Sequence, residues 1–444
     1  MSNKIKKLRE KYSRFIYESY SYKINKKSLA ISFNFLIEPG IRFNPEIKIK
    51  ETNKKRLEEI ENNQLDNLVF HLGLIEMLSY WKATCSPVIE VKAGKLNKDQ
   101  IKWWIDLIYN GMGQFFYENR IDWREKDFLK IKSEKLDIEK DLHKYSNKLK
   151  NRFIIPIGGG KDSIVTLEML KNTKKDIKCF SLNPTNVAKK VMKIGECKKP
   201  LTVERKIDEK LFQLNNKGFL NGHTPFSAYI AFLTVLLSVL FDYKYIAVSN
   251  EESSNEGNVE YLGREINHQY SKSYRFEKRF RKYSKRYLVD KVEYFSFLRP
   301  LNEIQIVKLF SKYPDYFSSF VSCNDAFKTQ SGKKKKTGRW CNKCPKCLFV
   351  YACLYPFLND NQLEEIFGKE LFKDKKLIPL MEQLLGEKEF KPFECVGTTE
   401  DSLVAFYLSW EKARMKEDIP VLLKYFEEKI LPRNKKIKKL AEKY

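Results

Sequence analysis

The feature that most constrains this chain is a short apolar run that ends in three glycines and passes into a helical pattern. It reads Phe153-Ile154-Ile155-Pro156-Ile157, then Gly158-Gly159-Gly160-Lys161-Asp162-Ser163, then Ile164 to Leu170. A strand, a glycine loop and a helix in that order build an anion cradle. Glycines let the backbone approach a phosphate and take positive φ, and the amides at the helix start point at the anion with the dipole behind them. Lys161 would add a positive charge, and Ser163 a hydroxyl donor or an N-cap. Two other phosphate motifs fail on spacing. A Walker A loop needs glycine where Ile155 stands and Ser or Thr where Asp162 stands, and the G-x-G-x-x-G fingerprint needs glycine in place of Ser163.

The surrounding pattern supplies an architecture for that loop. The chain has 444 residues, more than one typical domain. Its first 150 carry two strand-like stretches, Leu29 to Ile37 and Glu46 to Lys50, split by Pro39, Gly40 and Pro45. Two amphipathic helices follow, marked by Leu65, Leu68, Val69 and Leu72 and by Ile101, Trp104, Ile105 and Ile108. The charged stretch Arg124 to Lys150 reads as a solvated helix or linker. Beyond it strands and helices alternate: Phe153 to Ile157, Lys178 to Leu182, the apolar helix Pro225 to Phe241, Tyr245 to Ser249 and Tyr294 to Leu298. That order predicts a parallel sheet with crossover helices. From about residue 358 the pattern is helical, with stripes at Leu377, Leu380, Met381 and Leu384 and at Leu403, Phe406, Tyr407 and Trp410. The expected fold class is therefore α/β, a doubly wound parallel sheet, with an α+β domain at 1–150, the phosphate-binding domain at 151–322, a metal knuckle at 323–357 and a helical region at 358–444.

Cysteine spacing points to a metal. Cys323, Cys341, Cys344 and Cys347 stand as C-x17-C-x2-C-x2-C, the ligand set of a closed tetrahedral zinc site, with an iron–sulfur cluster as the alternative. Nine cysteines in a chain of this length are not a disulfide scaffold, and reduced thiols are expected. The run Lys333 to Lys336 inside the long loop reads as solvated, or as a contact to substrate phosphates. A net charge of +27 could mark nucleic acid as partner, but lysine is spread from end to end, as compositional bias would spread it. The longest apolar run, Ala228 to Phe241, is too short to span a bilayer, and Met-Ser-Asn-Lys-Ile-Lys-Lys at the start lacks the apolar stretch of an export signal. A cytoplasmic protein without a membrane span is expected.

The glycine loop resembles the pyrophosphate loop S-G-G-x-D-S of the N-type ATP pyrophosphatases, with Gly158 in place of the first serine. That resemblance implies an adenine nucleotide alpha-hydrolase-like fold, ATP held through Gly158, Gly159, Gly160, Lys161, Asp162 and Ser163, and magnesium at Asp162. A carboxylate or amide oxygen would then attack the α-phosphorus. A loop of this kind followed by the cysteine pattern, with Arg299-Pro300-Leu301 leading into Ile306-Val307, is similar to 7-cyano-7-deazaguanine synthase, an enzyme roughly half as long. Three further segments, Asn250 to Asn258, Asn267 to Ser273 and Phe393 to Thr398, resemble the MurL-type epimerases. That second resemblance implies an ATP-dependent epimerase acting through an acyl-adenylate, on the terminal L-glutamate of UDP-N-acetylmuramoyl-L-alanyl-L-glutamate, in peptidoglycan precursor synthesis. Two other classes stay open at this point: a pyrophosphate-loop enzyme that adenylates a nucleobase or tRNA, and a zinc-containing nucleic-acid-binding protein.

Candidate acid–base groups follow. His268 could titrate near neutral pH or pack as a core histidine. Cys395 could deprotonate an α-carbon, as thiols do in cofactor-independent racemases, or be a buried structural thiol. With Lys161 these form the expected catalytic set. Glu251 and Glu252 follow a strand end, where open sheets bind ligands; with Asn255, Asn258, Lys272 and Arg299 they are the expected substrate-binding set, and Arg264 is a further candidate for binding phosphate or carboxylate.

Overall fold

Along Ser28–Ile37 buried and half-exposed residues strictly alternate, so Leu29, Ile31, Phe33, Phe35 and Ile37 line one face of a strand. In the computed structural model, which describes residues 2–25, 27–327, 329–330, 333–334, 338–388 and 390–444, this strand belongs to a large, mostly parallel sheet. Its strands are β1 (Arg14–Asn25), β2 (Ser28–Ile37), β3 (Ile41–Phe43), β4 (Glu46–Lys50), β5 (Val88–Leu96), β6 (Lys130–Lys135), β7 (Phe153–Pro156), β8 (Ile177–Leu182), β9 (Leu201–Lys206) and β10 (Tyr245–Val248). A hairpin, β11 (Val259–Tyr261) and β12 (Arg264–Ile266), stands apart, and β13 (Glu293–Ser296) completes the sheet. The order is β13-β10-β7-β8-β9-β4-β2-β1-β5-β6, with β3 beside β2.

The strands that position the site are β9-β8-β7-β10-β13, all parallel. Their order steps back from β7 through β8 to β9, then jumps to β10 on the other side of β7. The sheet therefore reverses direction between β7 and β10, the place where open parallel sheets leave a crevice beyond their C-terminal ends. Successive residues point to opposite faces. Ile154, Phe180 and Ile246 join a core shared with the N-terminal strands and the helix Phe226–Phe241, while Ile155, Cys179 and Ala247 join one shared with the helices after residue 160. On this second face the helices Lys161–Lys171, Glu303–Phe310, Pro345–Leu354 and Thr399–Ala413 pack on one another.

The expected strands and both N-terminal helices are present, the helices spanning Asn62–Glu76 and Lys98–Gly111. Two expectations are corrected. Arg124 to Lys150 is not simply a helix or linker, because β6 lies within it and pairs in parallel with β5. β6 is an edge strand that buries only Ile131 among lysines and a glutamate, too thin a pattern to announce itself. The thiols are not all free: Cys179 on β8 and Cys197, just past the helix Asn186–Ile194, form a disulfide with Cα atoms 5.9 Å apart. Only the fold brings these two together. No helix among the described residues is long and apolar enough to cross a membrane.

Candidate active site

β7 ends at Pro156, and the chain turns through Gly158, Gly159 and Gly160 into the helix Lys161–Lys171. Gly159 has φ +96°, and a Cβ there would lie 2.7 Å from Val187 Cγ1 and 3.1 Å from the Ala188 amide nitrogen. Conformation and space both demand glycine. Gly160 is the N-cap and carries no capping side chain; Ser163 Oγ donates to the Gly160 carbonyl at 2.9 Å. Among the described residues none accepts a hydrogen bond from the backbone amides of Gly158 to Ser163. Those amides, with the helix dipole behind them, stand at the β7–β10 reversal and are available to an anion.

Lys161 does not offer that anion a free charge. Its ammonium is 1% exposed and donates to Glu303 Oε2 and Asp162 Oδ1, each at 2.5 Å. A lysine in the first turn of an internally packed helix points between helices, and Glu303, in the first turn of Glu303–Phe310, meets it there. Burial opposes the lysine's charge, but Asp162 and Glu303 outweigh it and hold Lys161 above its ordinary value. For Glu303 burial wins and raises the carboxyl. Burial also works against Asp162, yet Lys161 and Lys346 keep it below its usual range. Sequence reasoning missed Glu303, which is 142 residues from its partner.

A second cluster assembles beside the loop from three separate segments. His268 Nδ1 lies 2.9 Å from Asn258 Oδ1, which also accepts from the His268 amide, while Asn258 Nδ2 donates to the Pro392 carbonyl at 2.8 Å. That last bond orients the amide, so Nδ1 carries the proton and Nε2 presents a lone pair. Nε2 faces Cys395 Sγ at 3.8 Å. Burial, reinforced by Lys272, Lys391 and Lys346, lowers His268 to about 3, so the ring is neutral. Lys272 donates to the same sulfur at 3.3 Å. Burial works against its charge, but Cys395, Glu251 and Asp162 outweigh it and raise Lys272 above its usual value, which ties this cluster to the loop electrostatically. Lys346 donates to the Cys395 carbonyl. It was also missed from sequence, although its place between two cysteines of the knuckle was a local signal.

The remaining expected residues divide. Glu251 is 5% exposed and belongs to the interior of the site, whereas Glu252 is on the surface. Asn258 orients His268. Asn255, on the outer side, accepts from the Tyr274 amide and donates to the Glu252 carbonyl. Arg299, expected to bind substrate, is spent on the fold: it donates to the carbonyls of Glu251 and Lys272, to Ser254 and Ser296, and pairs with Glu277 at 3.3 Å. It braces the segments that carry Glu251 and Lys272.

The thiols of Cys323, Cys341, Cys344 and Cys347 all lie within 4.8 Å of one another, with contacts of 3.9, 3.7 and 3.5 Å. Four sulfurs at about 2.3 Å from one tetrahedral ion stand about 3.8 Å apart, so the set could hold a single ion. A cluster that places its thiolates on separate irons holds them farther apart. Cys344 is the N-cap of Pro345–Leu354, so the knuckle fixes the start of the helix that carries Lys346. Lys335 and Lys336, and the side chains of Lys333 and Lys334, lie outside the described residues.

Two family models match the chain: the MurL N-terminal domain over residues 6–297 and the MurL C-terminal domain over residues 319–439. Curated relatives include the UDP-N-acetyl-alpha-D-muramoyl-L-alanyl-L-glutamate epimerase of a Micromonospora species, 39% identical over 60% of this chain and 58% of the relative. The protein of the same name from Salinispora tropica is 39% identical over 60% of this chain and 57% of the relative. That from Xanthomonas oryzae pv. oryzae is 31% identical over 79% of this chain and 76% of the relative. The chain thus spans under two thirds of the length of the first two relatives.

Proposed function

The chain belongs to the MurL family, and from that premise we propose that it is an ATP-dependent epimerase. It converts the terminal L-glutamate of UDP-N-acetylmuramoyl-L-alanyl-L-glutamate to D-glutamate through an acyl-adenylate, in the cytoplasm, during peptidoglycan precursor synthesis. One observation supports this reading: the glycine loop, with available amides, stands at a reversal of a parallel sheet, and the Cys395–His268–Lys272 cluster lies within electrostatic reach of its Asp162. Neither half suffices alone. A Cα–H beside a free carboxylate resists removal, because the carbanion would share its skeleton with an existing negative charge. Making that carboxylate an ester-like acyl phosphate removes the charge and acidifies the proton.

In the proposed sequence the carboxylate oxygen on the glutamyl Cα attacks the α-phosphorus of ATP, and diphosphate departs into the amides of Gly158 to Ser163. Asp162 would hold the accompanying magnesium. Cys395, in its thiolate form beside the Lys272 ammonium, takes the Cα proton. A proton drawn from solvent and delivered to the opposite face inverts the centre, water then attacks the acyl carbon and releases AMP, and Cys395 gives the proton it took back to solvent. Glu303 keeps Lys161 in place under the loop. Cys323, Cys341, Cys344 and Cys347 would hold a structural zinc, which would supply rigidity to the start of the helix that sets Lys346 on the Cys395 carbonyl.

Incubation with ATP, magnesium and the L-glutamyl precursor in heavy water should give AMP, diphosphate, and D-glutamyl product deuterated at Cα. Inversion that needs no ATP, or AMP formation only with a nucleobase or tRNA, would discard the proposal.

A further inference from the structure

A cavity of about 670 Å³ opens between the helix Lys98–Gly111 and the hairpin β11–β12. That volume suits a drug- or nucleotide-sized ligand. Its wall includes Asn267 and Ser273, next in the chain to His268 and Lys272, so the segment that carries the cluster also forms part of the cavity.

Resting on the proposed function, we infer that this cavity takes the nucleoside diphosphate end of the substrate, with Arg264 and Arg275 on the diphosphate and Tyr109 against the base. Arg264, on the exposed end of the hairpin, makes no ion pair and no side-chain hydrogen bond among the described residues. Arg275 reaches Asp106 at only 3.4 Å, and Asp106 is already engaged by Arg279 at 3.1 Å and by the Tyr270 hydroxyl at 3.0 Å. Three arginines, Arg264, Arg275 and Arg279, stand against two carboxylates, Asp106 and the exposed Glu265, which leaves positive charge over. Arginine's planar fork matches phosphate oxygens. Trp123 lines the cavity and is 2% exposed. Its ring stacks on Phe116 at 5.1 Å and Tyr261 at 5.6 Å, which holds it rigid. This arrangement reads the end of the substrate remote from the reacting glutamyl carbon and thereby sets specificity.

The test is calorimetric titration of the full chain with UDP, in saturating non-hydrolysable ATP analogue and magnesium so that the glycine loop is filled. UDP should bind, Arg264→Ala should weaken it at least tenfold, and Arg275→Ala, on a different element, severalfold. Absence of UDP binding, or equal binding by wild type and both variants, overturns the inference even if the chain epimerises its substrate. UDP binding lost in the variants sustains it even if no epimerisation occurs, so the two readings fail separately.

Discussion

The glycine loop and the Cys395 cluster are coupled electrostatically through Asp162 and Lys272 but are built in opposite ways. The loop is six consecutive residues whose function resides in the backbone: Gly159 is needed for its φ of +96°, and the amides need only a helix start behind them. The cluster draws Lys272, Lys346 and Cys395 from segments 49 and 123 residues apart in the chain, and its function resides in side chains. Binding an anion tolerates a purely local solution. Placing a base beside a carbon does not, and the fold must deliver it.

If that contrast is right, damage to the two regions separates. Cys395→Ala should reduce inversion and Cα deuteration by about 10⁴-fold, the upper range for a general base, while ATP-dependent AMP formation continues. Equal loss of both would merge the regions. Gly159→Ala should reduce both activities together by about 10³-fold, since the added Cβ meets Val187 and Ala188 and displaces the amides.

These two substitutions also mark what was legible in sequence. Three glycines between a strand and a helix announce the loop, because its chemistry is local. Glu303 was invisible, since no spacing rule pairs residues from different helices; Lys346 offered only its place between two cysteines, and β6 hid because an edge strand buries too little. Arg299 was read as a ligand-binding group because a lone arginine after a strand carries no sign of the five protein groups that occupy it.

A third test asks whether Lys161 belongs to the loop or to the frame beneath it. Lys161→Ala strands a buried carboxylate and should cost about 3 kcal/mol of stability, measured by denaturant unfolding. Adding Glu303→Gln should recover most of it; if turnover returns as well, the lysine is framework only.

The smallest effect concerns the cluster's histidine. Burial lowers His268 to about 3 and His71, packed against Tyr283, to about 4, both below the usual 6.5. Because the folded values are depressed, the unfolded chain takes up protons that the folded chain refuses. The stability of the neutral forms is complete above pH 6.5 and declines as pH falls toward 4 and 3, by about 2 kcal/mol for each histidine between pH 7 and 5. Burial lowers His223 to about 3 as well, so thermal unfolding across that range should show the decline of three histidines, and His268→Asn should remove about a third of it.

The central claim is that the loop activates the carboxylate which the cluster then exploits. Substrate carrying ¹⁸O in its glutamyl carboxylates, turned over once in ordinary water, tests it by mass spectrometry of the released AMP. Attack on the α-phosphorus followed by water attack at carbon transfers one ¹⁸O to AMP. AMP without ¹⁸O, accompanied by inverted product, would contradict it.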